Sequence, residues 1–339
     1  MNRPILHVVA LVGLLLLAGT ALAHVPDFPR DNGSPETALA VPNPSKSWVF
    51  YDRVPTDGAA YYSVDLDAGD RLVLSLFTPH SGEFTPSLVL MSPAIEGRHD
   101  VSDAVTVPEG YGARVIQGER PDEAEYEPFT PASFYSTVSY DRPVEADGTY
   151  LVAVYGPDQE RGQVGVVVGY EESFSVAEYL TVPIDRHRIH LWEGQSFGLV
   201  FGPGLLVLLG GLGGLIRRLS GPNLTVRTLV GVAALIFLAE AAGTIVQTIL
   251  ALSKSGPTLS APLTVAFVVV PAGIGWWLLR QALDDGFGTA GTDDGPVPSR
   301  RTRATLAGAG VLGLLTWGGI LVGPALTILA AILPWNRLP

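Results

Sequence analysis

No cysteine occurs in this 339-residue chain. Thiol nucleophiles, zinc–thiolate sites, iron–sulfur clusters and disulfides are therefore excluded, and any folded exterior part must rest on its apolar core. About 170 residues are enough to supply such a core. Lysine is almost missing as well: Lys46 and Lys254 are the two lysines, and every other basic residue is arginine. Within residues 24–192 there is no Gly-x-Ser-x-Gly pentapeptide. Nowhere does a Walker or dinucleotide-type glycine pattern follow a strand in a βαβ setting, so serine-hydrolase and nucleotide chemistry lack their signatures.

What the chain does contain is apolar sequence in long runs. Residues 2–23 read as a secretory signal, with Arg3 as the positive start, 5–17 as the apolar centre and Ala21-Leu22-Ala23 as a small-x-small cleavage site. The alternative, an uncleaved first span, has a short apolar run to work with. Cleavage after Ala23 makes His24 the mature N-terminus. Four more stretches, near 196–216, 226–252, 259–281 and 305–333, are each long enough to cross a hydrocarbon core of about 30 Å. Arg217, Arg218 and Arg227 fall in the first loop between them, and Arg280, Arg300, Arg301 and Arg303 in the third. Only Lys254 lies in the second loop, and Arg337 follows the last span. The positive-inside bias then puts residues 24–192 outside the cell, the 284–303 loop in the cytoplasm and both termini outside. Trp276, Trp277 and Trp335 stand near span ends, where indoles anchor at the headgroup level. The expected localisation is a multi-pass cell-membrane protein with the lipid bilayer as its first partner.

Charge is uneven. Residues 24–195 carry 28 Asp and Glu against 11 Lys and Arg, a net of −17. Nucleic acid is thereby an unsuitable partner, since phosphate contacts need a basic footprint. This acidic, lysine-poor composition resembles that of exported proteins of halophilic archaea, whose self-repulsion molar salt screens over about 3 Å.

The exported part shows strand signals. Residues 24–47 are rich in Pro, Asn and Ser and read as an extended arm. Residues 61–66 alternate, Asp67-Ala-Gly-Asp70 is a turn, and 71–77 alternate again with Leu72, Leu74 and Leu76 on one face. Short apolar runs follow at 87–91, 149–155 and 163–170, with no convincing amphipathic helix. The expected fold is an all-β sandwich or jelly roll over 24–192, followed by an all-α four-helix transmembrane bundle over 196–333. The stretch Tyr62-Ser-Val-Asp-Leu-Asp-Ala-Gly-Asp-Arg-Leu-Val-Leu-Ser-Leu76, with Pro86-Ser-Leu-Val-Leu-Met-Ser-Pro93, resembles the first half of pre-peptidase C-terminal domains. Ala146-Asp-Gly-Thr-Tyr-Leu-Val-Ala-Val-Tyr155 and Gly165-Val-Val-Val-Gly-Tyr170 resemble the second half. The resemblance covers about 110 residues and implies a secreted, non-catalytic β-sandwich accessory module. The chain departs from that pattern by an insertion at about 94–135 and by carrying no peptidase.

Three groups of residues remain as candidates for chemistry. A mature His24 offers an amine and an imidazole together, a pair suited to Cu(II), with His187 and His190 as further nitrogen ligands. These two histidines stand three apart, a spacing that shares a face only on a helix. Arg186 and Arg188 beside them oppose a metal. The insertion holds Glu119-Arg-Pro-Asp-Glu-Ala-Glu-Tyr-Glu127, which has no EF-hand spacing and reads as a solvated acidic loop rather than a calcium site. Glu240 is the one acid deep in a span, with Thr244 and Gln247 on nearly the same face. An ion or proton relay and interhelical hydrogen bonding are its two readings. Asn32-Gly-Ser34 is a glycosylation sequon, and the glycines of 210–214 predict close packing of the first span. The leading expectation is a membrane-anchored extracytoplasmic binding or accessory module, with another membrane or surface protein as its candidate partner. A copper-binding protein using His24, and a small transporter or sensor using Glu240, are the alternatives.

Overall fold

Alternation of apolar residues with period two produces the β-rich half of the protein. The structure, a computed structural model, describes residues 24–157, 160–219, 224–284, 287 and 299–335. The signal-type segment 1–23 and most of the 284–303 loop lie outside the described residues. Strands β1 (Val25–Asp27), β3 (Trp48–Val54), β5 (Arg71–Pro79), β8 (Glu125–Glu127), β9 (Ala132–Pro143) and β11 (Gly162–Val168) form one sheet. Its order is β1-β3-β11-β5-β9-β8. Strands β2 (Leu39–Ala40), β4 (Ala59–Leu66), β6 (Ser87–Ser92), β7 (Gly112–Ile116) and β10 (Gly148–Tyr155) form the second, in the order β2-β4-β10-β6-β7. The arm expected at 24–47 thus supplies two short edge strands, β1 and β2, both pairing in parallel.

One apolar cluster takes side chains from both sheets: Phe50, Leu72, Leu74, Leu76 and Val166 from the first, Tyr62, Val64, Leu88, Leu90 and Val152 from the second. The back of the five-stranded sheet is also apolar. Tyr61, Met91, Ala153 and Tyr155 lie there with Val105, under the inserted segment. The insertion therefore covers a sheet face that would otherwise meet water.

The opposite face of the six-stranded sheet is set by a bulge. Leu76 pairs with Val138 but Phe77 pairs with Ser136, so Thr137 is the extra residue. The slip reverses the facing of β9 upstream of it, and Phe134 and Ser136 share the outward face with Ser75 and Phe77. Across the sheet, Gly165 of β11 stands opposite Phe77. A Cβ at Gly165 would overlap the Phe77 ring, so glycine lets that ring lie flat over the strand.

Helix α1 (Val176–Trp192) covers this outward face, which corrects the expectation of an all-β region to 192. Ser175 and Glu178 form a capping box at its start, and Glu178 also pairs with Lys46 at 2.6 Å. Trp192 Nε1 donates to the Asp52 carbonyl of β3 at 2.7 Å, fixing the helix end to the sheet.

Three helices are long and apolar enough to cross a membrane: α2 (Phe197–Arg218), α3 (Leu224–Ser255) and α4 (Ala261–Leu283). Gly211 of α2 lies against Leu235 of α3, and Gly231 of α3 against Leu215 of α2, the close packing expected of the glycine run. At about 48 Å, α3 exceeds a hydrocarbon core of about 30 Å. Its C-terminal end reaches the β region: Leu250, Ala251 and Lys254 lie by His80 and Ser133.

The segment expected as a fourth span is two helices, α5 (Arg300–Leu315) and α6 (Val322–Ile332), joined by a turn. Trp317, Gly319 and Ile320 take positive φ there. Gly310 lies against Ile328, Gly313 against Pro324, and Arg303 Nη1 donates to the Ala331 carbonyl, so the two helices run antiparallel as a hairpin. Trp317 at the tip meets Phe129, Tyr179 and Phe267 at ring-centroid distances of 5.2–6.2 Å. At the other end Trp335 packs on Phe287 at 5.2 Å and under Arg303. The last described residues therefore return to the side of the 284–303 loop, contrary to the expectation that four straight spans separate them.

Candidate functional site

Helix α1 has protein on two sides, and each side holds a cavity. On the sheet side a cavity of about 200 Å³ opens between the outward face of β3, β5 and β9 and the end of α1. Tyr51, Phe77 and Trp192 line it as three mutually near-perpendicular rings. The interplanar angles are 74–76° and the centroid separations 4.9–6.1 Å. Phe134 adds a fourth ring, 5.0 Å from Phe77. The lining carries three acidic side chains, Glu125, Glu127 and Glu193, and no lysine or arginine.

Glu127 is half-buried and accepts the Phe129 backbone N–H at 2.9 Å. Burial pushes its carboxyl up to about 7, with the charge of Glu172 adding and the N–H groups of Phe129 and Thr130 opposing. His24 also lines the cavity. Its Nδ1 is hydrogen-bonded with Ser47 Oγ at 2.5 Å, and burial lowers its imidazole to about 4, so it is neutral at pH 7. Burial raises the Tyr51 hydroxyl well above its ordinary value, with the carboxylates of Glu127, Glu193 and Asp185 adding to the effect. The acidic segment read as a solvated loop is thus in part a strand, β8, whose Tyr126 is buried and whose Glu127 faces a cavity.

On the other side, a cavity of about 270 Å³ lies between α1, α2 and α3. Its lining is mostly apolar, from Val200, Phe201, Leu205 and Ile236, with a polar patch at one end. There Glu240, 9% exposed, faces the side chains of Arg186 and His187 of α1. Arg186 Nη1 and His187 Nε2 each stand 3.6 Å from its carboxylate. Arg186 Nη2 donates to Thr244 Oγ1 at 3.3 Å, and Arg186 Nε has no partner. The His187 ring stacks on Phe201 at 5.2 Å, and its Nδ1 lies 3.0 Å from the Pro183 carbonyl. With that nitrogen donating, Nε2 offers a proton to Glu240 only as imidazolium. Gln247 and Gln195 exchange two amide hydrogen bonds, at 2.8 and 2.9 Å.

The candidate metal ligands are not brought together. His187 and His190 share a helix and one cavity, while His24 lines the other. His190 Nδ1 is bonded with Glu193 at 3.0 Å. Among the described residues no group of three His, Asp or Glu side chains is placed to hold a metal ion. Asn32 of the sequon is buried, donating to Asp52 and to the Tyr61 carbonyl, so its amide has a structural partner. The pentapeptide Gly194-Gln-Ser-Phe-Gly198 joins two helices, and Ser196 caps α2 by accepting from Leu199. The strand-to-helix elbow that makes such a serine nucleophilic is not there. Sequence reasoning missed Tyr51, Phe77, Phe134, Trp192 and Glu127 as a set. The glycine opposite Phe77 and the aromatic enrichment of 48–51 and 134–135 were the available signals.

The chain matches no protein-family model and no curated protein.

Proposed function

We propose that this protein is a membrane-anchored binding module, with an extracytoplasmic β-sandwich that takes a small ligand beneath helix α1. The carrying observation is the ring-lined cavity between the six-stranded sheet and α1, with Glu127 in its wall. The shared core of the two sheets supports a sandwich. The arginines support the orientation. Arg227 donates to the Ala282 carbonyl and Arg303 lies by Trp335, so basic side chains gather at the end of the helices away from the β region. That asymmetry supports a cytoplasmic side there. The resemblance to pre-peptidase C-terminal domains agrees with a binding role.

A sensor role is the second reading, and α1 itself favours it. The helix that places Trp192 and Glu193 on the cavity places Arg186 and His187 on Glu240. A ligand that moves the cover also moves the contacts of α3.

The test is a solute panel on the full chain in nanodiscs, comparing organic cations, carboxylates and neutral alcohols by thermal unfolding. A binding module gives at least one class that raises the midpoint, by RT ln(1 + [L]/Kd). That rise disappears in Ser136→Phe, which fills the cavity. If no class separates wild type from the filled variant, the reading is wrong.

A further inference from the structure

We propose that the cavity beneath α1 selects an organic ammonium cation, preferentially a methylated one, held by the rings of Tyr51, Phe77, Phe134 and Trp192 and by the carboxylates of Glu127 and Glu193. This inference rests on the binding role proposed above and names its ligand class.

Charge excludes most other guests. Three carboxylates line the cavity and neither lysine nor arginine does, so an anion would meet repulsion with no compensating donor charge. The guanidinium of Arg186 lines a neighbouring void of about 50 Å³ and faces Glu240. A neutral apolar guest would seal Glu127 away from water without a counter-charge, which is unfavourable. A bare metal ion fits poorly for a different reason: the described residues offer it no three-ligand group, and rings fill the positions where oxygen donors would stand.

Geometry favours a cation with an apolar surface. Three rings at right angles form the corner of a box, and ring faces attract ammonium groups through their quadrupoles. Such boxes suit methylated ammonium because its charge is spread over carbon-bound hydrogens and its hydration is weak. At about 200 Å³, the cavity exceeds the ~150 Å³ that accepts benzene in an apolar core. Room remains for a trimethylammonium head and a short tail.

The box is also held rigidly. Trp192 is fixed by its bond to Asp52, whose carboxylate is itself held by Asn32 and by Tyr62 at 2.6 Å. Phe77 lies over Gly165, and Phe134 is aimed by the Thr137 bulge. A preorganised cavity loses less on binding than one that must assemble around its guest.

The experiment is calorimetric titration of the full chain in nanodiscs with tetramethylammonium chloride and choline chloride. Sodium chloride and 3,3-dimethylbutan-1-ol, the uncharged shape analogue of choline, serve as references. Expected is saturable one-to-one binding of the ammonium salts and none of the references. Glu127→Gln should weaken it at least tenfold and Phe134→Leu about three- to tenfold, while both variants keep the wild-type tryptophan emission. Equal binding of the uncharged alcohol, or ammonium binding unchanged by both substitutions, overturns the inference. If a carboxylate or a neutral solute binds and Ser136→Phe abolishes it, the cation inference fails and the binding role stands. If Ser136→Phe alters the response to no solute at all, the binding role itself fails.

Discussion

Replacing Glu127 by glutamine should make the protein more stable, and only above a defined pH. The carboxyl is displaced from 4.5 to about 7 by burial. Between those values the folded chain holds a proton that the unfolded chain has lost, so stability falls as pH rises. The effect is absent below about pH 4.5, grows through about pH 7 and then levels off. At about 1.4 kcal/mol per pH unit, the whole displacement corresponds to about 3 kcal/mol. Glutamine keeps the size of the side chain and an oxygen to accept the Phe129 N–H, but it has no proton to lose. Glu127→Gln should therefore match wild type within a few tenths of a kcal/mol at pH 4. At pH 8 it should exceed wild type by about 3 kcal/mol. For a unit of this size that is roughly 6–12 °C in the unfolding midpoint. The assay is thermal unfolding of both chains in nanodiscs from pH 4 to 8, followed by tryptophan fluorescence. Taking the difference between the two chains cancels the other titrating groups. Parallel profiles would refute the reasoning, because they would mean that water reaches the Glu127 carboxyl and that the cavity is not a low-dielectric site.

Glu240→Ala should cost about 3–5 kcal/mol, since it leaves the Arg186 guanidinium buried without its counter-charge; the double variant Arg186→Met, Glu240→Leu should recover most of this in the same unfolding assay. Deleting Thr137 takes out only the extra residue, so the Leu76–Val138 and Phe77–Ser136 pairs become consecutive in a regular ladder with Phe134 and Ser136 still outward; the β region should keep its cooperative thermal transition, and loss of that transition would reject the assignment of the bulge. Because the chain has no cysteine, single cysteines report topology directly. An impermeant maleimide applied to whole cells should label Asp147→Cys and spare Ser299→Cys, and a tag after Pro339 should be protected with the latter. Labelling of the tag from outside would reject the α5–α6 hairpin.

Several strands were legible: β4 and β5 lie where alternation placed them, and β6, β10 and β11 where short apolar runs bounded by turns did. Other elements hid for identifiable reasons. β3 carries Val49 and Tyr51 on one face and Phe50 and Val54 on the other, with a buried Asp52 between them, so no period stands out. In β9 the bulge breaks the period midway. Helix α1 escaped because both of its faces meet protein: Val182 and Ile189 face the sheet, Arg186 and His187 the helices. A polar side chain there marks a buried ion pair, not a solvent face. Composition also reads a hairpin and a straight span alike, since both are apolar over 305–333; the positive φ of Trp317 and Ile320 belongs to the turn, not to the residue types.

The position of Glu240 shows how the two halves of the protein are joined. By sequence it is an isolated carboxylate in mid-span. Along α3 it stands about 24 Å from Leu224, where the helix still has 15 residues to run, to Ser255, and the stretch beyond it packs on β8 and β9. Its partners, His187 and Arg186, come from α1, 53 and 54 residues upstream. Arg186 and Trp192 are six residues apart on that helix, about 9 Å of rise, and each is fixed at its far end, one to α3 and the other to β3. A rigid helix held at both ends cannot tilt at one without straining the other. Whatever displaces Trp192 from the ring box must therefore act on the Arg186–Glu240 contact. A guest that stiffens the box should, by the same link, slow hydrogen exchange in α3 around Glu240, where it makes no contact of its own.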